Sequence, residues 1–142
     1  MRYLFDTCAF IDAITDEENL SADIISIMED WENELYISQE TVREVILKFK
    51  SKRVWDNFWK TEKELLDQIY HSDFPFTVLP IQEEHFRTYA NLITNDKENH
   101  KDPSDHLIIS HAITNRMSLI SRDHKFHFYK NQGLDLIYYG RK

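Results

Sequence analysis

Short apolar runs alternate along this chain with stretches of helical period, and that alternation folds most simply as a parallel sheet covered by helices. Tyr3–Phe5, Leu35–Ile37, Ser118–Ser121 and Leu134–Tyr138 have the length of buried strands. Between them lie helical stripes: Ile24, Ile27, Met28 and Trp31; then Val42, Val45, Ile46 and Phe49, with Ser38 as cap; then Ile108, Ile109, Ala112 and Ile113. Phe58, Trp59, Leu65, Leu66 and Ile69 predict a helix within Trp55–Tyr70, and Phe86, Tyr89, Ala90 and Ile93 predict another. Pro75 and Pro80 restrict Phe76–Ile81 to a connection or an edge strand. The expected class is α/β, a central parallel sheet with helices on both faces.

On that frame, four segments place an acid where structure alone has little use for one. Asp6 and Asp123 each close an apolar strand, while Glu44 and Asp105 stand on helices whose apolar faces turn inward. In parallel α/β sheets ligands bind just beyond the carboxyl ends of the strands. Two carboxylates about 4 Å apart repel by roughly 4 kcal/mol at an effective dielectric near 20, so a converging set takes up protons or binds cations. Each acid also has a plainer reading. Asp6 and Asp123 can be turn or cap residues, Glu44 can sit on a solvated face four residues before Lys48, Asp102 is a good N-cap for a helix opening Asp102-Pro103-Ser104-Asp105, and Asp105 can be the far member of that capping pair.

Composition removes several functions. Gly133 and Gly140 are the only glycines, so neither a P-loop nor a G-x-G-x-x-G fingerprint can be written. A net charge of -8 argues against a protein that coats nucleic acid electrostatically, although metal bound among the acids would invert the field where a phosphate sits. The lone cysteine, Cys8, precludes an internal disulfide, and no stretch reads as a signal peptide or membrane span; a reducing, cytoplasmic location and a single domain over residues 1–142 are expected. His106 and His111, five apart, splay around a helix and disfavour zinc, and His100 and His124 read as polar residues near a cleft. The one basic cluster, Lys48, Lys50, Lys52 and Arg53, reads as a helix C-terminus complementing the dipole, as a phosphate-contacting edge, or as both. Trp55, Phe58 and Trp59 cannot all share one buried helical stripe, which leaves that region as an apolar contact surface for a partner.

Tyr3-Leu4-Phe5-Asp6-Thr7, the Ser38–Lys48 segment around Arg43-Glu44, His100-Lys101-Asp102-Pro103-Ser104-Asp105 and Ser121-Arg122-Asp123 together resemble PIN-domain proteins, specifically VapC-type toxins of bacterial toxin–antitoxin pairs. The resemblance spans almost the whole chain. It implies a magnesium- or manganese-dependent ribonuclease with Asp6, Glu44, Asp105 and Asp123 as metal-holding catalytic acids, and Thr7, Asp102 and Ser121 as polar residues behind them. It implies RNA as substrate, an antitoxin protein as partner, and no membrane; a homodimer stays open, as does the choice between one ion and two. Cys8 and His106 depart from the family's pattern, standing where His or Asn and Arg are common. Two alternatives remain at this point: a catalytically silent PIN-like module that binds RNA or protein, and a housekeeping RNA-processing nuclease.

Overall fold

The structure, a computed structural model, describes residues 1–52, 55 and 58–140. Five strands form one parallel sheet: β1 (Arg2–Phe5), β2 (Glu34–Ser38), β3 (Phe76–Leu79), β4 (Ser118–Ser121) and β5 (Asp135–Tyr138), in the order β3-β2-β1-β4-β5. The chain builds outward from β1 to β3, then returns to lay β4 against the other edge of β1. The order reverses there, between β1 and β4, which is where an open α/β sheet offers a crevice at its carboxyl ends.

Successive side chains of each strand enter opposite cores, as the two-residue period of a strand requires. Tyr3, Phe5, Leu35, Ile37, Phe76 and Ile120 join one core, covered by α1 (Thr7–Thr15), α2 (Ala22–Glu29), α3 (Gln39–Lys52) and α4 (Glu62–Ile69). Leu4 and Leu119 join the other, with Ile108, Ile109 and Ala112 of α6 (Pro103–Asn115) and Phe126 and Tyr129 of the 3-10 segment His124–Gln132. Phe10 and Phe5 pack edge-on against Phe76, with centroids 5.2 and 4.9 Å away. Truncating Phe10 to Ala is expected to cost about 3–5 kcal/mol.

Two predicted stripes differ from the structure. Thr61 caps α4, accepting the Glu64 amide at 3.2 Å, so that helix starts after the aromatics. Trp55 and Trp59 turn back into the core and Phe58 alone stays half exposed, which removes most of the apolar contact surface expected there. In α5 (Glu83–Asn91) the expected face is inverted: Phe86 is exposed, as is Ile93 just past the helix, while His85 points inward.

The reason is a polar joint between α5, α6 and β2. His85 Nδ1 accepts the Gln82 amide at 2.9 Å, so its Nε2–H is free to donate to Asn115 Oδ1 at 2.7 Å. Its ring lies 4.1 Å from that of His111, whose Nδ1 meets Ser38 Oγ at 3.0 Å. His111 is wholly buried and its Nε2 has no hydrogen-bond partner among the described residues. Burial, reinforced by His85, holds His111 down at about 4.

Candidate active site

Asp6 follows the last residue of β1, and its amide is held by the Ile120 carbonyl of β4 at 3.1 Å. Its carboxylate caps α1 by accepting the Ala9 amide at 2.8 Å. A cap needs one such bond. The side chain is nonetheless almost completely buried, and burial pushes its carboxyl up to about 7; Ser121 and the Ala9 amide oppose this, and the neighbouring Asp105 and Asp123 push the same way. Ser121, itself buried, serves two acids: it hydrogen-bonds Asp6 and accepts the Asp123 amide at 3.1 Å. Asp123 begins the 3-10 segment, accepting the Lys125 amide at 2.9 Å.

Glu44 comes from α3 and takes a short hydrogen bond from the Thr7 hydroxyl, which also meets Thr41 Oγ1 at 3.1 Å. Burial raises the Glu44 carboxyl, Thr7 opposes, and Asp102 and Asp105 add to the rise. Asp105, one turn into α6, is raised first by burial and then by Asp102 and Asp123, against a hydrogen bond from His100. Asp102 caps α6 as expected, accepting the Ser104 amide at 2.9 Å. Asp105 is not the far half of a capping box; its Oδ2 lies 2.9 Å from His100 Nε2. A second tie docks α6 on α3: Ser104 donates to Glu40, and Arg43 bridges both.

Asp6, Glu44, Asp105 and Asp123 thus come together with Thr7, Asp102 and Ser121 around them. One ligand atom each from His100, Asp105 and Asp123 lie within 4.8 Å of one another, and no other such group of histidine, cysteine and acids occurs among the described residues. The carboxylate oxygens are hard donors that suit magnesium or manganese rather than a thiolate-preferring metal, while both nitrogens of the imidazole beside them are taken by hydrogen bonds. Cys8 is pushed up to about 11, first by burial and then by Asp6, so it stays a thiol at neutral pH and is no nucleophile. Arg122 is held by the buried Asp12 at 3.2 Å, which also accepts Tyr139 Oη at 2.6 Å.

The basic cluster divides. Lys48, four residues after Glu44, acts electrostatically on Glu44 and Cys8 at the rim of the acids, whereas Lys50 is exposed. Arg53 lies outside the described residues, as does the Lys52 side chain. Sequence reasoning missed His100 and Tyr129 as neighbours of Asp105; the His100-x-Asp102-Pro103-x-Asp105 spacing was visible, but the contact with Tyr129 spans 29 positions.

The family model of the PIN domain matches residues 3–131. The chain belongs to the PIN domain family. This PIN domain is similar in fold to VapBC2 from Rickettsia felis, a structure bound to a DNA fragment from their promoter, with TM-score 0.70 and 20% identity over 98% of this chain and 99% of that one. It is similar also to FitAcB from Neisseria gonorrhoeae (TM-score 0.66, 22% identity, 95% and 96% covered). A toxin–antitoxin complex from Klebsiella pneumoniae gives TM-score 0.64 at 20% identity, with 98% and 99% covered. Comparison with curated protein sequences gives no match. At these identities the structural likeness is one of fold. Among the described residues, no helix of this PIN domain is long and apolar enough to cross a membrane.

Proposed function

We propose that residues 1–142 form one PIN domain acting as a metal-dependent endoribonuclease, the toxin of a toxin–antitoxin pair, with Asp6, Glu44, Asp105 and Asp123 as its catalytic acids. The observation that carries the reading is the convergence of these carboxylates, Asp6 buried and the other three half-buried, with Asp6 pushed up to about 7 by burial and by its acidic neighbours. Such a set is costly without a cation, and its oxygen donors suit Mg²⁺ or Mn²⁺. When bound, the metal supplies a hydroxide source near neutral pH and offsets charge on the scissile phosphate.

The protein's own work is positional. Ser121 fixes Asp6 against Asp123, Thr7 fixes Glu44, and Asp102 sets the start of the helix that carries Asp105. Lys48 supplies positive charge at the rim for RNA phosphates, extended in this reading by Lys50, Lys52 and Arg53. The antitoxin reading is supported by the neighbour in fold from Klebsiella pneumoniae, named as a toxin–antitoxin complex. Its chemistry follows from the cleft: an extended segment placing an Arg or Lys among the carboxylates would inhibit.

The test is cleavage of single-stranded RNA. It should require Mg²⁺ or Mn²⁺, and Asp6→Asn or Asp105→Asn should abolish it while the fold persists by circular dichroism. Undiminished cleavage in excess chelator would sink the metal-nuclease reading. The toxin assignment falls separately if expression leaves growth and RNA pools unchanged and no partner copurifies.

A further inference from the structure

Asp105 is held in a way that a helix start does not require. His100 is almost fully buried, and both of its ring nitrogens are engaged: Nε2 with Asp105 Oδ2 at 2.9 Å and Nδ1 with the Tyr129 hydroxyl at 2.9 Å. Tyr129 is fully buried, and its oxygen accepts the Asn95 amide at 3.0 Å. That amide occupies an acceptor position of the phenol, so the one O–H of Tyr129 is left to donate to His100 Nδ1. A neutral imidazole that accepts a hydrogen bond at Nδ1 carries its proton on Nε2, which faces the carboxylate.

The surroundings leave the ring little freedom. The Asn95–His100 turn is closed by the His100 amide on the Asn95 carbonyl at 3.0 Å and by Asn99 in the left-handed region, at φ 57°. Asn95 Nδ2 ties this turn to the Lys125 carbonyl at 3.2 Å, next to the strand end that carries Asp123. The His100 carbonyl accepts His106 Nε2–H at 2.9 Å, and the ring packs against Phe126. These bonds join the start of α6 to the 3-10 segment.

We propose that His100 is a positioning residue for Asp105, set in its Nε2–H tautomer by Tyr129, so that it orients the carboxylate for a divalent cation. The inference rests on the metal reading above. Asp105 Oδ2 is engaged by His100, and Oδ1 has no hydrogen-bond partner among the described residues. Partners that orient a ligating carboxylate typically account for about 10–100-fold in metal affinity.

Two measurements test it. Calorimetric titration with Mn²⁺ should show His100→Ala weakened by about 10–100-fold. Tyr129→Phe should be weakened less, and His100→Gln, whose amide can still donate, should recover most of the loss. In the metal-free protein at pH 8, long-range ¹⁵N–¹H correlation spectra should show His100 as the Nε2–H tautomer in the wild type and as a tautomer mixture in Tyr129→Phe. His100 as mere packing predicts lowered thermal stability with unchanged Mn²⁺ affinity, and that result overturns the proposal, as does an Nδ1–H tautomer in the wild type. Should His100→Ala fail to fold, Tyr129→Phe and His100→Gln carry the same test. Unchanged Mn²⁺ binding by Asp105→Asn would instead overturn the metal reading, and the tautomer would then decide the hydrogen-bond chain by itself.

Discussion

The carboxylate crevice and the histidine joint share helix α6, and both bury titratable side chains, yet they stand in opposite relation to protons. Asp6 has a folded pKa raised from 3.8 to about 7; between those values the folded chain holds a proton that the unfolded chain has lost, so acidification favours folding. His111 is depressed from 6.5 to about 4; there the unfolded chain holds the extra proton, and acidification favours unfolding. The windows overlap almost completely. A flat stability profile between pH 4 and 7 would therefore conceal two steep and opposing ones. The joint buries its polar groups with His111 kept neutral by burial. The crevice retains carboxylates whose charge no nearby cation among the described residues fully offsets, which is the signature of a place kept for a ligand.

Removing either side should unmask the other. Asp6→Asn keeps a good helix cap, since Asn caps as well as Asp. In metal-free protein it should remove a destabilisation on the order of 4 kcal/mol at pH 8, because one pK unit corresponds to about 1.4 kcal/mol. Its denaturation midpoint should then fall further than that of the wild type on going from pH 6.5 to 4. His111→Gln should do the reverse, removing an acid-side loss of about 3 kcal/mol, so that stability rises on acidification through the same range. Urea denaturation at several pH values reads both. Variant profiles running parallel to the wild type would end the comparison.

Smaller effects sharpen it. Thr7→Val deletes the hydroxyl between Thr41 and Glu44. We expect about 1 kcal/mol of stability lost, a further rise of the Glu44 carboxyl and a measurable loss of Mn²⁺ affinity, whereas an equivalent cut at the histidine joint should leave metal binding alone. Smallest of all, Lys48→Gln should lower the salt dependence of RNA binding by about 0.7 in log–log slope, the value for one phosphate contact on a single strand. Lys50→Gln serves as the comparison, and equal slopes in the two variants would remove Lys48 from the rim.

The strands, and the acids that close two of them, Asp6 and Asp123, were legible because their signals are local: a short apolar run ending in an acid needs no knowledge of the rest of the chain. Apolar periodicity misled where a polar contact decided the orientation. In α5, Phe86, Tyr89, Ala90 and Ile93 make the better stripe, yet His85 turns inward because Asn115 and the His111 ring receive it. Trp55 and Trp59 belong on the surface only if one continuous helix runs through both; the observed turn lets both reach the core. The hold on Asp105 was illegible for another reason. His100, Asn95 and Tyr129 are unremarkable apart, and only the return of the chain through β4 brings the tyrosine under the histidine.

That return has a consequence for the order of synthesis. β4 pairs Tyr3 with Ser118 and Phe5 with Ile120, so the first strand made waits for nearly the last to fill its open edge. A growing chain that has not reached this point has Asp6 but neither Asp123, Ser121 nor the Ile120 carbonyl on which the Asp6 amide hangs. The crevice comes into being in one late event of long-range pairing, the kind of contact that is slow to form. A nascent copy thus has no complete crevice until Ser121 and Asp123 have emerged.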